Sequence, residues 1–251
     1  MISFNITYYN EPVWLKWWYD TIININQEGL DVGLNIVDDG SMIDSAECFF
    51  EKCIPHPQMS LYCVVDDIGF NSHGARNLLM QQTKTQWNVL SDIDRQYSHK
   101  TIHSIINSEI NLNRGNYYSF YETKKSSVDR FSVNDFLVHK EDFWLTGGYD
   151  EEFVNIHWGD RYFLDILKTV VQRQKVQQWE VVYVRGARNV VWDDNVTKTT
   201  YPDDETLIHP TYFWGNQEKR WGLKEAIKQR NRTLEGRASK PVINFEWTQI
   251  F

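Results

Sequence analysis

Two aspartates separated by one residue follow an apolar run in the first half of the chain. Residues 87–90 are predicted as a buried strand, Ser91 begins the loop after it, and Asp92 and Asp94 follow. Because side chains alternate with a period of two in extended chain, both carboxylates are expected on the same side of the backbone. Two such oxygen ligands suit a hard divalent cation, Mg²⁺ or Mn²⁺, which commonly also holds substrate phosphates. A solvated loop is the competing interpretation, since D-x-D also arises by chance.

Composition and charge narrow the class of protein. The chain has 251 residues, of which 41% are apolar, enough for one substantial core. Its net charge of −8 argues against a broad nucleic-acid-binding surface, so no direct nucleic-acid binding is expected. The aromatic content of 15%, with 11 Trp, favours a carbohydrate or nucleotide ligand, because aromatic faces stack on sugar rings and bases.

The cysteine pattern and the hydropathy predict where the protein works. Cys48, Cys53 and Cys63 are odd in number and lack zinc-binding spacing, so they are predicted to be reduced thiols in a reducing compartment. No run reaches about 18 apolar residues, and no basic-then-apolar leader opens the sequence. We therefore expect a cytoplasmic protein without a membrane span or a signal peptide.

Strand and helix patterns alternate through the first part of the chain. Predicted strands at residues 2–8, 32–37 and 61–65 are separated by predicted helices at residues 13–26 and 43–52. This β-α-β-α-β order predicts a parallel sheet with right-handed crossovers.

The pattern continues beyond these five elements. The further predicted elements are a helix that opens at residue 74, a strand at 87–90, a helix at 102–110, strands at 116–121 and 136–139, one or two helical turns at 140–145, a helix at 161–173 and a strand at 180–184. Beyond about residue 189 the chain is irregular and polar, and residues 219–240 hold eight basic residues against two acids.

Five motifs stand in order along this framework. They are T-Y-Y-N at 7–10, V-D-D-G-S at 37–41, G-A-R-N at 74–77, D-I-D at 92–94, and F-L-V-H-K-E-D-F-W-L-T-G-G-Y-D-E-E-F at 136–153 followed by W-G-D-R-Y-F at 158–163. In this order they resemble the inverting glycosyltransferases of family 2. The resemblance covers roughly residues 2–185. It implies an α/β protein with the A-type glycosyltransferase fold, a mainly parallel mixed sheet flanked by helices.

The resemblance also implies a domain organisation. Residues 1–188 would form the glycosyltransferase domain, with a Rossmann-like nucleotide-sugar half at 1–95 and an acceptor half at 96–188. Residues 189–251 would form a partly helical, basic C-terminal extension. Its basic residues could clamp the donor diphosphate or recruit an anionic acceptor, and a solvated amphipathic helix is the alternative.

In such a family the ends of the first two strands bind the nucleotide. Thr7 and Asp39 would hold the nucleobase, with Tyr9 beside them at the donor site. A carboxylate accepts the N3–H of uracil, which favours a UDP-sugar. Asp38 is expected to fix the turn, although the two aspartates could exchange roles, and an ordinary Asp-Gly turn is the alternative for the whole motif.

The next motifs would hold the diphosphate. Arg76 would reach toward the ribose or the diphosphate, and its alternative is a surface arginine paired with an acid. Asp92 would face the ribose or the metal, and Asp94 would bind the metal, Mn²⁺ or Mg²⁺, that bridges both phosphates. Such a metal makes the nucleoside diphosphate a better leaving group. His209 is a further candidate metal ligand, or else a loop residue.

Asp160 is the candidate general base for an inverting transfer. It would take the proton from the acceptor hydroxyl, a contribution of roughly 10²–10⁴-fold. The commoner family pattern has Glu-Asp here, whereas this chain has Asp160-Arg161. A helix cap is the alternative role. Asp150 and Glu151 are the substitutes and are otherwise expected to line the acceptor pocket.

Aromatic residues and glycines near these acids suggest sugar contacts. Tyr149 and Trp158 would stack on donor or acceptor rings or pack in the core, and Gly147 and Gly148 would let the backbone pass close under the sugar. The resulting hypothesis is a metal-dependent hexosyltransferase that moves a sugar from a UDP-sugar to an acceptor hydroxyl, on a saccharide or another molecule. The alternative is a catalytically silent sugar-nucleotide or glycan-binding protein. A nucleotidyltransferase is disfavoured because residues 8–12 contain no Gly-rich basic loop.

Overall fold

The computed structural model describes residues 1–107, 112–123, 130–154, 159–183 and 242–251. The strands are β1 (Ile2–Tyr8), β2 (Val32–Asp38), β3 (Met59–Val64), β4 (Trp87–Asp92), β5 (Arg95–Tyr97), β6 (Asn116–Thr123), β7 (Arg130–His139), β8 (Gln172–Tyr183) and β9 (Trp247–Gln249). The helices are α1 (Pro12–Gln27), α2 (Ala46–Phe50), α3 (Ser72–Gln82), α4 (His99–Ile106), α5 (Lys140–Trp144) and α6 (Gly159–Val170), with a 3-10 turn at Glu151–Phe153.

The strands form one mixed sheet in the order β5-β8-β6-β7-β4-β1-β2-β3-β9. Strands β1 to β4 are parallel to one another. Strands β6 and β8 run the same way, because β7 is antiparallel to both β4 and β6, and β8 is parallel to β6. Only β5, β7 and β9 of the described strands run the other way. This confirms the predicted α/β fold with a mainly parallel mixed sheet.

Both faces of the sheet are covered, as parallel strands require. Adjacent residues alternate between two apolar clusters, so that Val89 packs in one cluster and Leu90 in the other. The first cluster holds the apolar face of α1, including Trp18, whose ring lies 5.3 Å from that of Phe4. The opposite face is covered by α3, α5 and α6. Helices therefore enclose both faces of the sheet, and the ends of its strands are the places where a ligand-binding site can form.

The second half of the chain departs from the predicted elements. The helix predicted to reach residue 173 ends at Val170, and β8 already begins at Gln172. That prediction was wrong because the first residues of β8 are mostly polar and exposed, with neither a helical nor an alternating apolar pattern. The helix predicted at 43–52 shortens to Ala46–Phe50, whose start is capped by the Ser45 hydroxyl, which accepts from the Cys48 amide.

The last residues of the chain return to the sheet. Strand β9 pairs antiparallel with β3, and Ile250 and Leu61 continue the ladder through a 2.9 Å backbone hydrogen bond. Residues 184–241 lie outside the described residues, so the domain division at 188 and the character of the extension stay predictions. None of the helices described is both long enough and apolar enough to cross a membrane. The three cysteines are free thiols.

Candidate functional site

Three parallel strands end together at one edge of the sheet. In the register of the strands, Thr7 of β1 lies between Val37 of β2 and Asp92 of β4, and Tyr8 lies beside Asp38. Open α/β sheets bind their ligands at this carboxyl edge. The residues singled out at the ends of these strands therefore meet at the place where the fold can hold a ligand.

The two aspartates after β2 differ in what they bind. Both oxygens of Asp38 accept backbone N–H groups, from Ser41 at 2.9 Å and from Ala46 at 2.7 Å. Asp38 thus fixes the turn and the start of α2. Asp39 is buried, and its Oδ2 accepts the Asn71 amide at 2.8 Å, while its Oδ1 has no hydrogen-bond partner among the described residues.

Burial shifts the pKa values of the acidic groups near the ends of β1 and β2. It raises the pKa of Asp39 well above the usual range, although the hydrogen bond from the Asn71 amide works against that rise. Tyr9 donates its hydroxyl to Asp67 Oδ2 at 3.0 Å, and burial together with this bond raises the pKa of Tyr9 to about 12. Asp39 is the group here that retains an open acceptor atom.

Helix α3 brings a buried arginine to the same edge. Asn71 caps the helix by accepting the Gly74 amide, and Arg76 lies one turn further with 1% of its surface exposed. The Arg76 guanidinium donates to Asp92 Oδ1, to Asp160 Oδ1 and, at 3.0 Å, to the Tyr149 hydroxyl. Arg76 is therefore a buried bridge between two of the predicted site acids, and not a surface residue.

The D-x-D motif adopts a geometry that differs from the prediction. Strand β4 continues to Asp92, and Ile93 and Asp94 form a turn, so the period-two argument does not apply between the two aspartates. Trp18 fixes the turn by donating its indole N–H to the Ile93 carbonyl at 3.1 Å. The second oxygen of Asp92 accepts a hydrogen bond from the side-chain Nδ2 of Asn134 at 2.7 Å.

Asp92 and Asp94 are the candidate metal ligands at this edge. In the described ranges, the only group of three His, Cys, Asp or Glu ligand atoms close enough to share an ion lies elsewhere, just after α1 and on α4. Asp92 and Asp94 can supply one or two carboxylate oxygens, which is the usual protein contribution to a Mg²⁺ that also holds phosphates. His209 lies outside the described residues.

Asp160 occupies the first turn of α6. Its carboxylate receives the Arg76 guanidinium and lies 3.8 Å from His73 Nε2, with 18% of the side chain exposed. Burial alone would raise the pKa of Asp160, but Arg76, His73 and Tyr149 together lower it below the usual range. A Cβ at position 159 would clash with the His73 ring, so Gly159 allows the two elements to meet.

His73 and Asn134 contact the site acids but were not predicted from the sequence. His73 precedes the G-A-R-N motif and belongs to α3, and Asn134 lies in the middle of β7. A lone histidine or asparagine gives no spacing signal, because its partner comes from a distant element. Tyr149 is buried, its ring stacks on Phe163 at 4.0 Å, and its hydroxyl accepts from Arg76. Trp158 lies outside the described residues.

A second buried arginine lies behind Asp92. Arg95 Nε is 3.3 Å from Asp135 Oδ2 and 4.0 Å from Asp92 Oδ2, and its Nη1 is 3.4 Å from Glu122 Oε1. Burial raises the pKa of Asp135, and the charge of Arg95 opposes the rise. Three hydroxyl groups also donate to Asp135, those of Ser91, Tyr97 and Ser132. Sequence reasoning found none of this cluster.

A cavity of about 320 Å³ lies between Asn71, the segment from Gly147 to Val154 and the C-terminal segment. Gly147 and Gly148 have φ angles of 76° and 80°, which glycine adopts without strain. Glu151 accepts the backbone amides of Ile243 at 2.6 Å and Asn244 at 3.2 Å. Asp150 and Glu151 thus line a pocket next to the site, and Glu151 also fastens the C-terminal segment.

Comparison with known proteins identifies the fold. No family model and no curated protein sequence matches this chain. A mannosyltransferase from Pyrobaculum calidifontis, solved with GDP-Man and Mn²⁺, matches 72% of this chain with a TM-score of 0.53 and 14% identity. The catalytic domain of Drosophila β1,4-galactosyltransferase 7, solved with xylobiose, covers 69% with a TM-score of 0.49 and 12% identity. The matches span 56% and 63% of those two chains. The fold is that of the A-type glycosyltransferases.

Proposed function

We propose that this protein is a metal-dependent glycosyltransferase that moves a sugar from a UDP-sugar to an acceptor hydroxyl with inversion. One observation carries the proposal. On an A-type fold, Arg76 joins Asp92 at the end of β4 to Asp160 at the start of α6, at the edge where parallel strands bind ligands. The motif order at 7–10, 37–41, 74–77, 92–94 and 158–163 supports the donor class and the inversion.

Asp39 is the residue proposed to bind the nucleobase and to distinguish one base from another. Its buried Oδ1 is an acceptor without a hydrogen-bond partner in the described part of the chain, and a buried polar atom of this kind is costly unless a ligand satisfies it. The N3–H of uracil supplies such a donor. Guanine also presents N–H donors, and the Pyrobaculum neighbour holds GDP-Man, so GDP is the competing nucleotide.

Asp92 and Asp94 are the proposed metal-binding residues. Mn²⁺ or Mg²⁺ held there would neutralise charge that develops on the nucleoside diphosphate as it leaves. The protein contributes the two carboxylates, and Asn134 orients Asp92 through the 2.7 Å hydrogen bond to Oδ2. The remaining ligands would be phosphate oxygens and water.

Asp160 is the proposed general base, and Arg76 sets when it can act. An ion-paired carboxylate with a lowered pKa is a weak base. The donor diphosphate attracts the Arg76 guanidinium, which then shares its hydrogen bonds between the phosphates and the acids. The pKa of Asp160 rises as its ion pair weakens, so the base becomes effective once the donor is bound. The cavity lined by Asp150 and Tyr149 is the proposed entry for the acceptor.

A second candidate is a sugar-nucleotide-binding protein without turnover. The observation that favours it is that Arg76 pairs with both Asp92 and Asp160, which satisfies the site internally. If Arg76 keeps both acids when the nucleotide binds, neither is available to a metal or to an acceptor hydroxyl.

The test is calorimetric titration of UDP, GDP and CDP, each with Mn²⁺ and with EDTA, on the wild type and on Asp94→Ala. UDP binding that requires Mn²⁺ and fails in Asp94→Ala supports the donor class and the metal. The matched control is Asp165→Ala, an exposed aspartate on α6 paired only with Lys168 among the described residues. Stronger binding of GDP would replace UDP in the proposal. Binding of no nucleotide would overturn it.

Nucleotide binding without turnover would favour the second candidate. The assay is a UDP-sugar screen that measures UDP release with and without saccharide acceptors. Release of UDP from one sugar donor, at a rate that depends on an acceptor, supports the transferase. Metal-independent nucleotide binding with no release of UDP from any donor supports the binding protein.

A further inference from the structure

Two histidines and a glutamate converge on the molecular surface, away from the strand ends described above. His99 and His103 stand one turn apart on α4, so they share a face of the helix. Their ring centroids are 4.5 Å apart. Glu28, the residue after α1, approaches both imidazoles, with distances to Nε2 of 3.1 Å for His99 and 2.7 Å for His103.

The three side chains offer a set of ligands for one ion. One ligand atom from each residue lies within 4.8 Å of the other two. Ligands of a tetrahedral Zn²⁺ stand about 3.3 Å from one another, since each is about 2.0–2.1 Å from the metal. Small rotations of exposed side chains bring the three atoms to that spacing. Two histidines one helical turn apart are a common zinc-binding arrangement.

This cluster is separate from the proposed catalytic edge. Glu28 follows α1 and precedes β2, so it lies near the amino end of β2, whereas Asp39 follows the carboxyl end of the same strand. An ion bound here does not reach a donor diphosphate at the other edge. The inference therefore stands independently of the proposed function.

We propose that Glu28, His99 and His103 form a binding site for a zinc-class transition metal that joins α1 to α4. Imidazole nitrogens select Zn²⁺, Ni²⁺ or Cu²⁺ over Mg²⁺, which prefers oxygen ligands. The side chains are 43%, 47% and 33% exposed, which lets the ion enter and leaves water to complete the coordination. Glu28 and the two histidines are far apart in sequence, so only the folded chain brings them together. A metal bound by all three therefore stabilises the folded chain.

The experiment uses the full chain, stripped of metal and titrated with Zn²⁺ by calorimetry, with Tm measured at each Zn²⁺ concentration. One Zn²⁺ per chain and a rising Tm are expected. His103→Ala should weaken Zn²⁺ binding more than about 100-fold, since even groups that only orient a ligand contribute about 10–100-fold in affinity. Glu28→Gln should also weaken it. Lys100→Ala, an exposed residue of the same helix, should bind Zn²⁺ as the wild type does.

Two results would overturn the inference. One is Zn²⁺ binding of equal affinity in the wild type and in His103→Ala, which would place the ion elsewhere. The other is a wild type whose Tm does not rise with Zn²⁺. The metal-free Tm of each variant is compared with that of the wild type, so that a loss of folding is not mistaken for a loss of the site. Asp94→Ala should leave Zn²⁺ binding unchanged, which separates this site from the proposed Mn²⁺ site.

Discussion

Two buried arginines flank Asp92, and they hold different kinds of partner. Arg76 binds Asp92 and Asp160, whose side chains are 25% and 18% exposed. Apart from Asp92, at 4.0 Å, Arg95 binds acids that are cut off from water, since Asp135 is 0% exposed and Glu122 is 3% exposed. The acids of the first cluster can therefore exchange a partner with a ligand, and those of the second cannot.

The connectivity of the two clusters follows the same division. Arg95 on β5 reaches Glu122 on β6 and Asp135 on β7, and its guanidinium lies 4.8 Å from the centre of the Tyr183 ring on β8. It therefore joins four neighbouring strands, β5 to β8, in one half of the sheet. Arg76 joins a helix end and a strand end at the open edge. The Arg95 cluster is a framework that holds strands together, and the Arg76 cluster is suited to binding.

The largest expected effect tests whether the Arg76 cluster is chemical. Asp160→Asn keeps the shape of the side chain and removes its basicity, so kcat should fall about 10²–10⁴-fold while nucleotide affinity stays within a few fold. UDP release from the UDP-sugar selected by the binding screen measures it. Asp165→Asn on the same helix is the matched control. An unchanged kcat in Asp160→Asn would make Asp160 a helix cap and would remove the contrast with the Arg95 cluster.

The next effect tests the framework. Arg95→Met leaves Asp135 and Glu122 buried without a cation, so the free energy of unfolding should drop by about 3–5 kcal/mol. Arg76→Met should cost less, about 1–3 kcal/mol, because water can reach its acid partners. Urea unfolding of both variants measures the difference. Equal losses in the two variants would contradict the division between framework and binding site.

The sequence predicted the part of the candidate site at the ends of the parallel strands better than it predicted the Arg95 cluster. Thr7, Asp38 and Asp92 could be placed at one edge because strong apolar strands fix the register and parallel strands end together. The Arg95 cluster could not be predicted, because each of its charges comes from a different strand. Strand β8 was largely missed, since most of its residues face solvent. The turn at Ile93 depends on a hydrogen bond from Trp18, which lies 75 positions away in sequence.

The contact between His73 and Gly159 shows a similar limit. The W-G-D motif suggested an acid at a helix start, but only the structure shows why glycine precedes Asp160. Its neighbour is the buried His73 ring from another helix, and a side chain at 159 would displace it. A glycine in sequence signals special backbone or close approach, without saying which element approaches.

Gly159→Ala should have an intermediate effect, on both the free energy of unfolding and kcat. The added methyl group overlaps the His73 ring, and overpacking of this kind costs about 1–3 kcal/mol of unfolding free energy. Because Asp160 is the next residue, kcat should fall as well. The control is the double variant His73→Ala/Gly159→Ala, in which the ring is absent and the stability cost of the alanine should largely disappear. Additive losses would show that the cost arises from the backbone and not from the contact.

The smallest expected effect is a difference in the sign of two pH dependences. The pKa of Asp160 is lowered in the folded chain, so its contribution to stability is present above about pH 3.9, the unfolded value, and is lost as pH falls toward the folded pKa. The pKa of Asp135 is raised, so the folded chain holds that proton more tightly, and stability falls as pH rises from about 3.9 through the folded pKa.

Asparagine variants isolate the two contributions. The stability of the wild type relative to Asp160→Asn should decline on acidification below about pH 4, whereas its stability relative to Asp135→Asn should decline on raising the pH above that value. Each unit of pKa difference corresponds to about 1.4 kcal/mol. Urea unfolding across this range measures both curves. Slopes of the same sign would mean that Arg95 compensates the burial of Asp135 as fully as Arg76 compensates that of Asp160, and the two clusters would then differ in position but not in electrostatics.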